Sequence, residues 1–223
     1  MTRAYECAYC GTPTATTTDH IPAKGLFAKE AKVNLLTVKA CAACNLGASA
    51  DDQYFRDTVL KHHRVSELPQ AQSQIRAMLR SAAHPRKRGY TESTLGSFVD
   101  VEVRTPAGLH LGVRSAFRVD GDRLKRTAER YIRGLHRYAL GRRVPDGAEI
   151  AVAVDPEAVL AEQEDVLSTF AAGTTRIVQP GVFYYTVVIA TDNPEGSGWL
   201  LVFFDEFAII GSVRPRRGPD SKP

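Results

Sequence analysis

Four cysteines, all within the first 44 residues, constrain the fold of this chain more than any other feature. They form two C-x-x-C pairs, Cys7 with Cys10 and Cys41 with Cys44, and 30 residues separate the pairs. Two such pairs are typical of a tetrahedral zinc site with four thiolate ligands. Free or redox-active thiols are the alternative. A shared zinc ion would join both ends of the segment between the pairs, and would stabilise a unit too small to bury a large core.

Composition limits the class of protein. The chain has 223 residues, and 43% of them are hydrophobic, which suffices for one sizeable core or for a small module joined to a medium-sized domain. We find no run of about 18 apolar residues, so we expect no membrane span. Because the first ten residues lack the apolar segment of a signal peptide, we expect a cytoplasmic protein in which a disulfide framework would be unusual.

The positive charge is concentrated in the first part of the chain. The net charge is +4. Residues 1–89 contain 13 Lys and Arg against 7 Asp and Glu, whereas residues 90–223 contain 16 against 18. A polyanion such as nucleic acid would therefore meet the N-terminal part. An ordinary solvated surface is the alternative, since the excess is modest.

The segment between and after the cysteine pairs is predicted to form a strand–loop–strand–helix unit. The threonine-rich "TATTT" favours a strand that ends at Asp19-His20, and "VNLLTVKAC" favours a second strand that enters the second cysteine pair. A helix is predicted from Ser49 onward and another over residues 68–83. The basic stretch 84–90, which contains Pro and Gly, is interpreted as an exposed linker and a domain boundary.

The remainder alternates strand and helix patterns. Short strands are predicted between residues 95 and 120, followed by an amphipathic helix that ends at Gly141. A further strand and a helix beginning at Pro156 come next. Two long apolar strands, "GVFYYTVVIATD" and "GWLLVFFDEFAIIGSV", would form the centre of a sheet. This half is predicted to be an α+β domain with a mainly antiparallel sheet and its own core.

The predicted organisation therefore has three consecutive parts. Residues 1–65 would be a zinc-stabilised module, residues 66–89 a helix and a basic linker, and residues 90–223 an α+β domain of unknown role. The chemistry that can be recognised lies in the first part.

The first fifty residues carry, in order, C-x-x-C, Asp19-His20, Asn34 and C-x-x-C-Asn45. This pattern resembles the HNH, or ββα-metal, endonuclease family, above all the zinc-bearing members that are similar to phage endonuclease VII. It is also similar to a group of bacterial HNH proteins of undefined role. In that subset one cysteine pair precedes Asp-His, and the second is followed at once by Asn. The resemblance covers residues 7 to about 60, a quarter of the chain.

The resemblance implies a ββα-metal fold and a role for each matching residue. His20 would be the general base that removes a proton from the attacking water. Asp19 would bind a divalent cation through its carboxylate, and Asn45 would be a second ligand through its amide oxygen. Asn34 would orient the imidazole of His20 through a hydrogen bond. The structural zinc would be held by the four cysteines, Cys7, Cys10, Cys41 and Cys44.

The chemistry of phosphodiester hydrolysis suits these residue types. Mg²⁺ or Mn²⁺ prefers the oxygens of Asp and Asn, and it can neutralise the charge on the phosphate and on the departing 3′ oxygen. Histidine suits the base because its pKa lies near neutrality. We therefore expect a metal-dependent endonuclease that acts on nucleic acid, with DNA as the main candidate. Asp51 and Asp52 are candidates either for a third metal ligand or for helix capping.

Each assignment has a simpler alternative. Asp19-His20 could form a plain turn, and Asn34 could satisfy backbone groups of a loop. Asn45 could cap the helix after the second cysteine pair. The unit would then be a non-catalytic zinc module that binds nucleic acid or protein. A further alternative is that the part after residue 90 is the main functional unit.

Several basic side chains are candidates for contacts with phosphate groups, with ordinary solvated side chains as the alternative. They are Lys24, Lys39, Arg86, Lys87 and Arg88. The expected partner is nucleic acid, double-stranded DNA in particular, and no membrane is expected. A homodimer is a further expectation, because a single-metal module that nicks one strand needs two copies to cut both.

Overall fold

A computed structural model of the chain describes residues 5–31, 33–154 and 164–216, the side chains of residues 164–167 excepted. These residues form a mixed α+β fold in which every strand pair is antiparallel. The strands make two hairpins and one five-stranded sheet. The predicted α+β class with antiparallel sheets is therefore confirmed. Within the described ranges, no helix has the length and apolar character needed to cross a membrane.

The first hairpin joins β1 (Thr17–Ile21) to β2 (Leu36–Ala40), with a 3₁₀ turn in the connection at Lys24–Leu26. Two helices follow directly, α1 (Ala42–Leu46) and α2 (Ser49–Lys61). β-branched residues favour the strands, and alternate side chains of β2 are buried. Two strands and a helix thus occur in the order that the sequence predicts.

A run of short helices follows α2. Its members are α3 (His63–Ser66), α4 (Gln72–Ala82) and α5 (Arg88–Leu95), with 3₁₀ turns at Pro69–Ala71 and Pro85–Lys87. The stretch 84–90, interpreted from its sequence as a linker, is helical from Pro85 onward. Proline is suited to the first position of a helical turn because its φ is already helical there and its missing N–H is not needed.

The remaining elements build a second hairpin and the large sheet. The hairpin pairs β3 (Phe98–Arg104) with β4 (His110–Phe117), and the sheet has the order β5-β9-β8-β7-β6. Its strands and the helix before β6 are β5 (Glu149–Val154), α7 (Glu164–Ala171), β6 (Thr174–Gln179), β7 (Phe183–Ile189), β8 (Ser197–Phe203) and β9 (Phe207–Arg214). The predicted helix start at Pro156 lies outside the described residues.

One of the two long apolar strands was predicted wrongly. The segment "GWLLVFFDEFAIIGSV" forms two strands, β8 and β9, joined by a tight turn in which Phe204 (φ 54°) and Asp205 (φ 60°) adopt left-handed conformations. Glycine or asparagine usually marks such a turn, and neither is present here. Phe204 is fully buried, so burial of its ring favours a conformation that local propensity does not. Strand β6 was not predicted.

The long helix α6 (Gly121–Leu140) lies between the first hairpin and the large sheet. It ends at Gly141, whose φ of 69° gives the left-handed cap that the sequence predicts. Close contacts occur on both sides of it. A Cβ added at Gly134 would lie 2.2 Å from Ile21 Cδ1 on β1, and a Cβ added at Gly211 on β9 would lie 2.2 Å from Ile132 Cδ1. Glycine at these two positions permits the close packing.

Most buried apolar side chains of the described residues form one cluster that joins the first hairpin, α2, α6 and the large sheet. Phe55 on α2 is central to it, with ring centroids 5.3 Å from Tyr131 on α6 and 5.3 Å from Phe203 on β8. The core therefore crosses the position at which the sequence suggested a domain boundary. The division into three consecutive parts stays a prediction.

Candidate functional site

The four cysteines lie together. Their sulfur atoms are all within 4.8 Å of one another, and Cys10 Sγ is 3.8 Å from Cys41 Sγ. In a tetrahedral zinc site with Zn–S bonds of about 2.3 Å, the sulfurs are separated by about 3.8 Å. The cluster is thus compatible with a metal such as zinc, as the spacing of the pairs predicts. It joins the N-terminal turn to the end of β2 and the start of α1.

The backbone around Cys7 favours the thiolate form of that residue. Burial raises the pKa of Cys7, but backbone N–H groups of Cys10, Cys41 and Tyr9 point at its sulfur, and the net effect lowers the pKa to about 7. Burial raises the pKa of Cys44. The backbone N–H of Cys44 donates to Cys41 Sγ at 3.5 Å. Because the thiolate is the metal-binding form, such amide donors suit a metal site.

Asp19 and His20 project from opposite faces of the first hairpin. Side chains alternate between the faces of a strand, and Asp19 is buried (6% exposed) whereas His20 is half-buried. Asp19 shares the inner face with Ile21 and with its partner Val38, while His20 shares the outer face with its partner Thr37. A cation at Asp19 and a water at His20 would therefore meet only at the edge of β1.

The carboxylate of Asp19 is the centre of a buried polar cluster. Its Oδ2 accepts hydrogen bonds from the Tyr9 hydroxyl and from the guanidinium of Arg130 on α6. The same guanidinium contacts both carboxylate oxygens of Asp52 on α2, at 3.0 and 3.1 Å. The Tyr131 hydroxyl donates to Asp52 Oδ1 at 3.2 Å. One arginine thus joins two carboxylates that come from different elements.

Burial and charge set the protonation of this cluster. Burial raises the pKa of Tyr9, and the Asp19 carboxylate adds to this while Arg130 opposes it. Burial also raises the pKa of Asp52, against the effect of Arg130. Burial alone would lower the pKa of Arg130, but the neighbouring tyrosines and carboxylates outweigh it and raise the pKa. Arg130 therefore stays charged, and Tyr9 stays a neutral hydrogen-bond donor.

Asn45 lies beside the strand that carries the Asp-His pair, whereas Asn34 does not contact that pair. Asn45 Nδ2 donates to Thr17 Oγ1 at 3.0 Å and to the Thr18 carbonyl at 3.3 Å. Asn34 is exposed in the loop before β2. Within the described part of the chain, no hydrogen bond joins it to His20. The structure thus brings Asn45 to the edge of β1 and leaves Asn34 in the loop.

Lys39 shares the outer face of the hairpin with His20. Its Nζ donates to Thr18 Oγ1 at 3.1 Å and lies 5.3 Å from the centroid of the Tyr5 ring. Lys24 is exposed in the 3₁₀ turn after β1. The outer face therefore presents an imidazole and an ammonium group to solvent.

The basic run Arg86-Lys87-Arg88 covers the end of the 3₁₀ turn Pro85–Lys87 and the first residue of α5. Lys87 Nζ donates to Gln53 Oε1 on α2 at 2.6 Å, and Arg88 pairs with Glu92 one turn later at 2.7 Å. Arg86 and Arg88 are exposed. The side-chain hydrogen bonds of this run are thus with α2 and α5.

A cleft of about 310 Å³ opens beside Asp52 and Arg130, between the α1–α2 turn and α6. Asp51 also lines it and pairs with Arg123 at 2.8 Å and with Arg126 at 3.5 Å. The first turn of α2 is therefore attached to α6 by several ion pairs. The two aspartates, which the sequence suggests as caps or as a third ligand, face this cleft.

Sequence reasoning missed three members of the buried cluster, Tyr9, Arg130 and Tyr131. Tyr9 lies between the two cysteines of the first pair, so the predicted zinc site could have indicated that Tyr9 lies near the first hairpin. The periodicity places Tyr131 on the apolar stripe of its helix but does not reveal a partner for its hydroxyl. For Arg130 the sequence carries no signal, since Asp19 lies 111 residues away.

The donor atoms near Asp19 are of the kind that suits a hard divalent cation. Carboxylate oxygens of Asp19 and Asp52, and the amide oxygen of Asn45, are ligand types that Mg²⁺ and Mn²⁺ prefer. The guanidinium of Arg130 already supplies a positive charge at Asp19. A divalent cation could bind there only if Arg130 moved, because two cations at contact distance in a buried site repel strongly.

No protein-family model, no curated protein and no solved structure matches this chain. A functional assignment therefore depends on the geometry described above and on the resemblance of residues 7 to about 60 to the HNH pattern.

Proposed function

We propose that this protein is a metal-dependent endonuclease of the HNH type that hydrolyses phosphodiester bonds in nucleic acid, with double-stranded DNA as its substrate. One observation carries the proposal: the side chain of Asn45, next to the last cysteine, reaches back to Thr17 and Thr18, directly before Asp19-His20. A strand with an acid and a base, a helix with an amide and a cluster of four cysteines thus meet in one place. These residue types suit metal-dependent hydrolysis of a phosphodiester bond.

His20 would accept a proton from the attacking water, since its half-buried imidazole is reachable from solvent on the outer face of the hairpin. Asp19 and Asn45 would hold a divalent cation, with Asp52 as a further oxygen ligand. When bound, Mg²⁺ or Mn²⁺ would neutralise charge on the phosphate and on the departing oxygen. Lys39, on the same face as His20, would attract the substrate backbone.

Arg130 has a defined part in this proposal. It would neutralise Asp19 and Asp52 until a cation binds, and it would then have to turn away from Asp19. The nearby cleft between the α1–α2 turn and α6 offers room for that movement. The four cysteines would hold a structural zinc that keeps the hairpin against α1.

A second candidate function is favoured by the burial of Asp19. Its side chain is 8% exposed and its carboxylate is already compensated by Arg130, as expected of a group with a purely structural role. The protein would then be a non-catalytic zinc module that binds nucleic acid or protein, and His20 would serve only in binding.

The test is plasmid cleavage by the zinc-loaded full chain with Mg²⁺ or Mn²⁺. We expect wild-type protein to nick or cut the DNA, and His20→Ala to reduce the rate by at least about 100-fold, the lower range for loss of a general base. The matched control is His110→Ala, because His110 is an exposed histidine on β4 and its removal should leave the rate unchanged.

Zinc content and the thermal unfolding midpoint of each variant would show that folding is intact. Cleavage by His20→Ala at the wild-type rate would contradict the assigned base. If wild-type protein binds DNA but cleaves neither DNA nor RNA with any divalent metal, the enzyme proposal is wrong and the binding module replaces it. A dimer in solution under cleavage conditions would account for cutting both strands.

A further inference from the structure

A second cavity lies away from the first hairpin, between α2, α4 and α5, and we name it the α4–α5 cleft. It has a volume of about 260 Å³. Carbon atoms dominate its lining, which includes Met78, Leu79, Leu95 and Phe98. Leu79 and Leu95, at 59% and 64% exposed, lie at its margin. Part of the apolar face of helix α4 thus lines an open cleft and does not pack in the core.

One acid lines the α4–α5 cleft, and its charge is already compensated. Asp57 is 3% exposed. Its Oδ1 accepts a hydrogen bond from Arg56 Nε at 2.7 Å, and its Oδ2 accepts one from the Tyr90 hydroxyl at 2.7 Å. A buried carboxylate held by a guanidinium and a phenol does not require a cation from outside.

In contrast to Asp57, the two lysines that line the cleft have no ion-pair partner of opposite charge among the described residues. Lys61 is half-buried, and its Nζ lies 4.6 Å from the centroid of the Phe117 ring. Burial lowers the pKa of Lys61, against a smaller opposing effect of Asp57. Among the described residues, no carboxylate lies within ion-pair distance of Lys61. Lys87, a second lysine of the lining, donates to the neutral amide of Gln53. The cleft thus combines an apolar interior with an excess of positive charge.

We propose that the α4–α5 cleft binds a small amphipathic carboxylate, with its apolar body inside the cleft and its carboxylate at Lys61. A cavity of about 150 Å³ lined by apolar side chains holds benzene, so this larger one has room for a medium-length alkyl chain. An anion would compensate the partly desolvated ammonium group, which a neutral or cationic ligand cannot do. The site is separate from the proposed nuclease centre and does not depend on it.

The probe is octanoate, titrated into the full chain by calorimetry, with octan-1-ol and octylamine as neutral and cationic controls of equal chain length. We expect octanoate to bind at least tenfold more tightly than either control. Lys61→Met, which keeps the apolar stem, should weaken octanoate binding at least tenfold. Lys29→Met is the matched control, because Lys29 is exposed in the loop after β1, and it should bind octanoate like wild type.

Two further variants test the location. Ala82→Trp should fill the cleft and abolish binding, and thermal unfolding would show whether the variant folds. Leu79→Glu alters an exposed side chain and should therefore leave the fold intact. The added carboxylate should weaken octanoate binding because it repels the carboxylate of the ligand. Leu109→Glu, at an equally exposed leucine in the β3–β4 turn, should not.

Absence of octanoate binding at millimolar concentration would overturn the proposal. Equal binding of octan-1-ol, together with no effect of Lys61→Met, would overturn the assignment of an anionic ligand. If Leu79→Glu instead changes the oligomeric state of the protein, the cleft takes a second copy of the chain, and the proposal is wrong. None of these outcomes bears on plasmid cleavage, which the titration does not measure.

Discussion

Arg130 is the residue on which the first hairpin most depends. Its guanidinium joins Asp19 of β1 to Asp52 of α2. The guanidinium carbon of Arg130 also lies 5.0 Å from the centroid of the Tyr9 ring. The three charged side chains are between 8% and 16% exposed. Because these side chains are largely excluded from water, burial of each charge costs little energy only while its oppositely charged partners are present.

Replacing Arg130 by Met should therefore destabilise the protein strongly. We expect a loss of about 3 to 5 kcal/mol in the free energy of unfolding, because two carboxylates would remain buried without a cation. Urea unfolding would measure it. The control is Arg137→Met on the same helix, whose pair with Glu6 spans 4.0 Å at the surface, and its loss should be about 1 kcal/mol or less.

A double variant makes this prediction sharper. Adding Asp19→Asn to Arg130→Met removes one of the unpaired charges, so part of the lost stability should return. If Arg130→Met is as stable as Arg137→Met, the cluster does not stabilise the fold, and Arg130 is free to leave Asp19 at little energetic cost.

At the scale of elements, α6 determines how the hairpin and the large sheet are arranged. The helix approaches β1 most closely at Gly134, where a methyl group would overlap Ile21 and would also lie 3.3 Å from the Tyr9 hydroxyl. Nearer the start of the same helix, Arg123 and Arg126 form ion pairs with Asp51 in the first turn of α2.

Gly134→Ala tests this close approach. Overpacking a tight contact costs about 1 to 3 kcal/mol, and the better helix propensity of Ala returns up to about 1 kcal/mol. We therefore expect a net destabilisation, measured by urea unfolding. Gly121→Ala is the matched control, since nothing lies within 4 Å of a Cβ at that position of the same helix, and it should be neutral or slightly stabilising. Equal effects of the two changes would mean that α6 can shift away from the hairpin.

The cysteine cluster is the second feature that keeps the first hairpin in place. We expect reduced, purified protein to carry one zinc ion, measured by elemental analysis. A strong chelator should then lower the thermal unfolding midpoint, because metal-binding energy in such sites is folding energy. Cys41→Ser should have the same effect without chelator. A reduced protein that takes up no zinc would contradict the assignment of the cluster as a zinc site.

At the scale of the whole molecule, one core serves the N-terminal elements and the C-terminal sheet. Phe55 packs against residues of α6 and β8, and the hydrophobic cluster includes Ile21 and Leu36 of the first hairpin as well as Trp199 of the sheet. The unit that the sequence suggests as a separate module therefore contributes to a shared interior.

Cutting the chain between α5 and β3 tests the shared core. We expect the fragment of residues 1–96 to lack cooperative unfolding even with zinc, because it loses Arg130 and the surface of α6 that covers Ile21. The measurement is urea unfolding followed by circular dichroism, with the two fragments mixed as the control for complementation. A fragment that binds zinc and unfolds cooperatively by itself would show that the predicted module is independent.

Part of this structure could be predicted from local patterns. The cysteine spacing predicted the cluster, strand patterns predicted β1 and β2, and the 3.6-residue periodicity with Gly141 predicted α6 and its buried stripe. The period-two alternation of a strand also implies that Asp19 and His20 face opposite sides. Each of these features depends on residues that are close in sequence, or on one chemical group that needs several identical partners.

Other features were decided only by the tertiary structure. The turn at Phe204-Asp205 contains no glycine or asparagine and places a buried phenylalanine in a left-handed conformation, so Asp205 alone was too weak a signal to predict it. The compensation of Asp19 by Arg130 depends on which face of a distant helix packs against the hairpin. Local propensity carries no information about that choice, because it is made by long-range packing and by the need of a buried charge for a partner. The sequence by itself thus determined the residues of the candidate site, whereas the fold determined which of them are paired, buried or open to solvent.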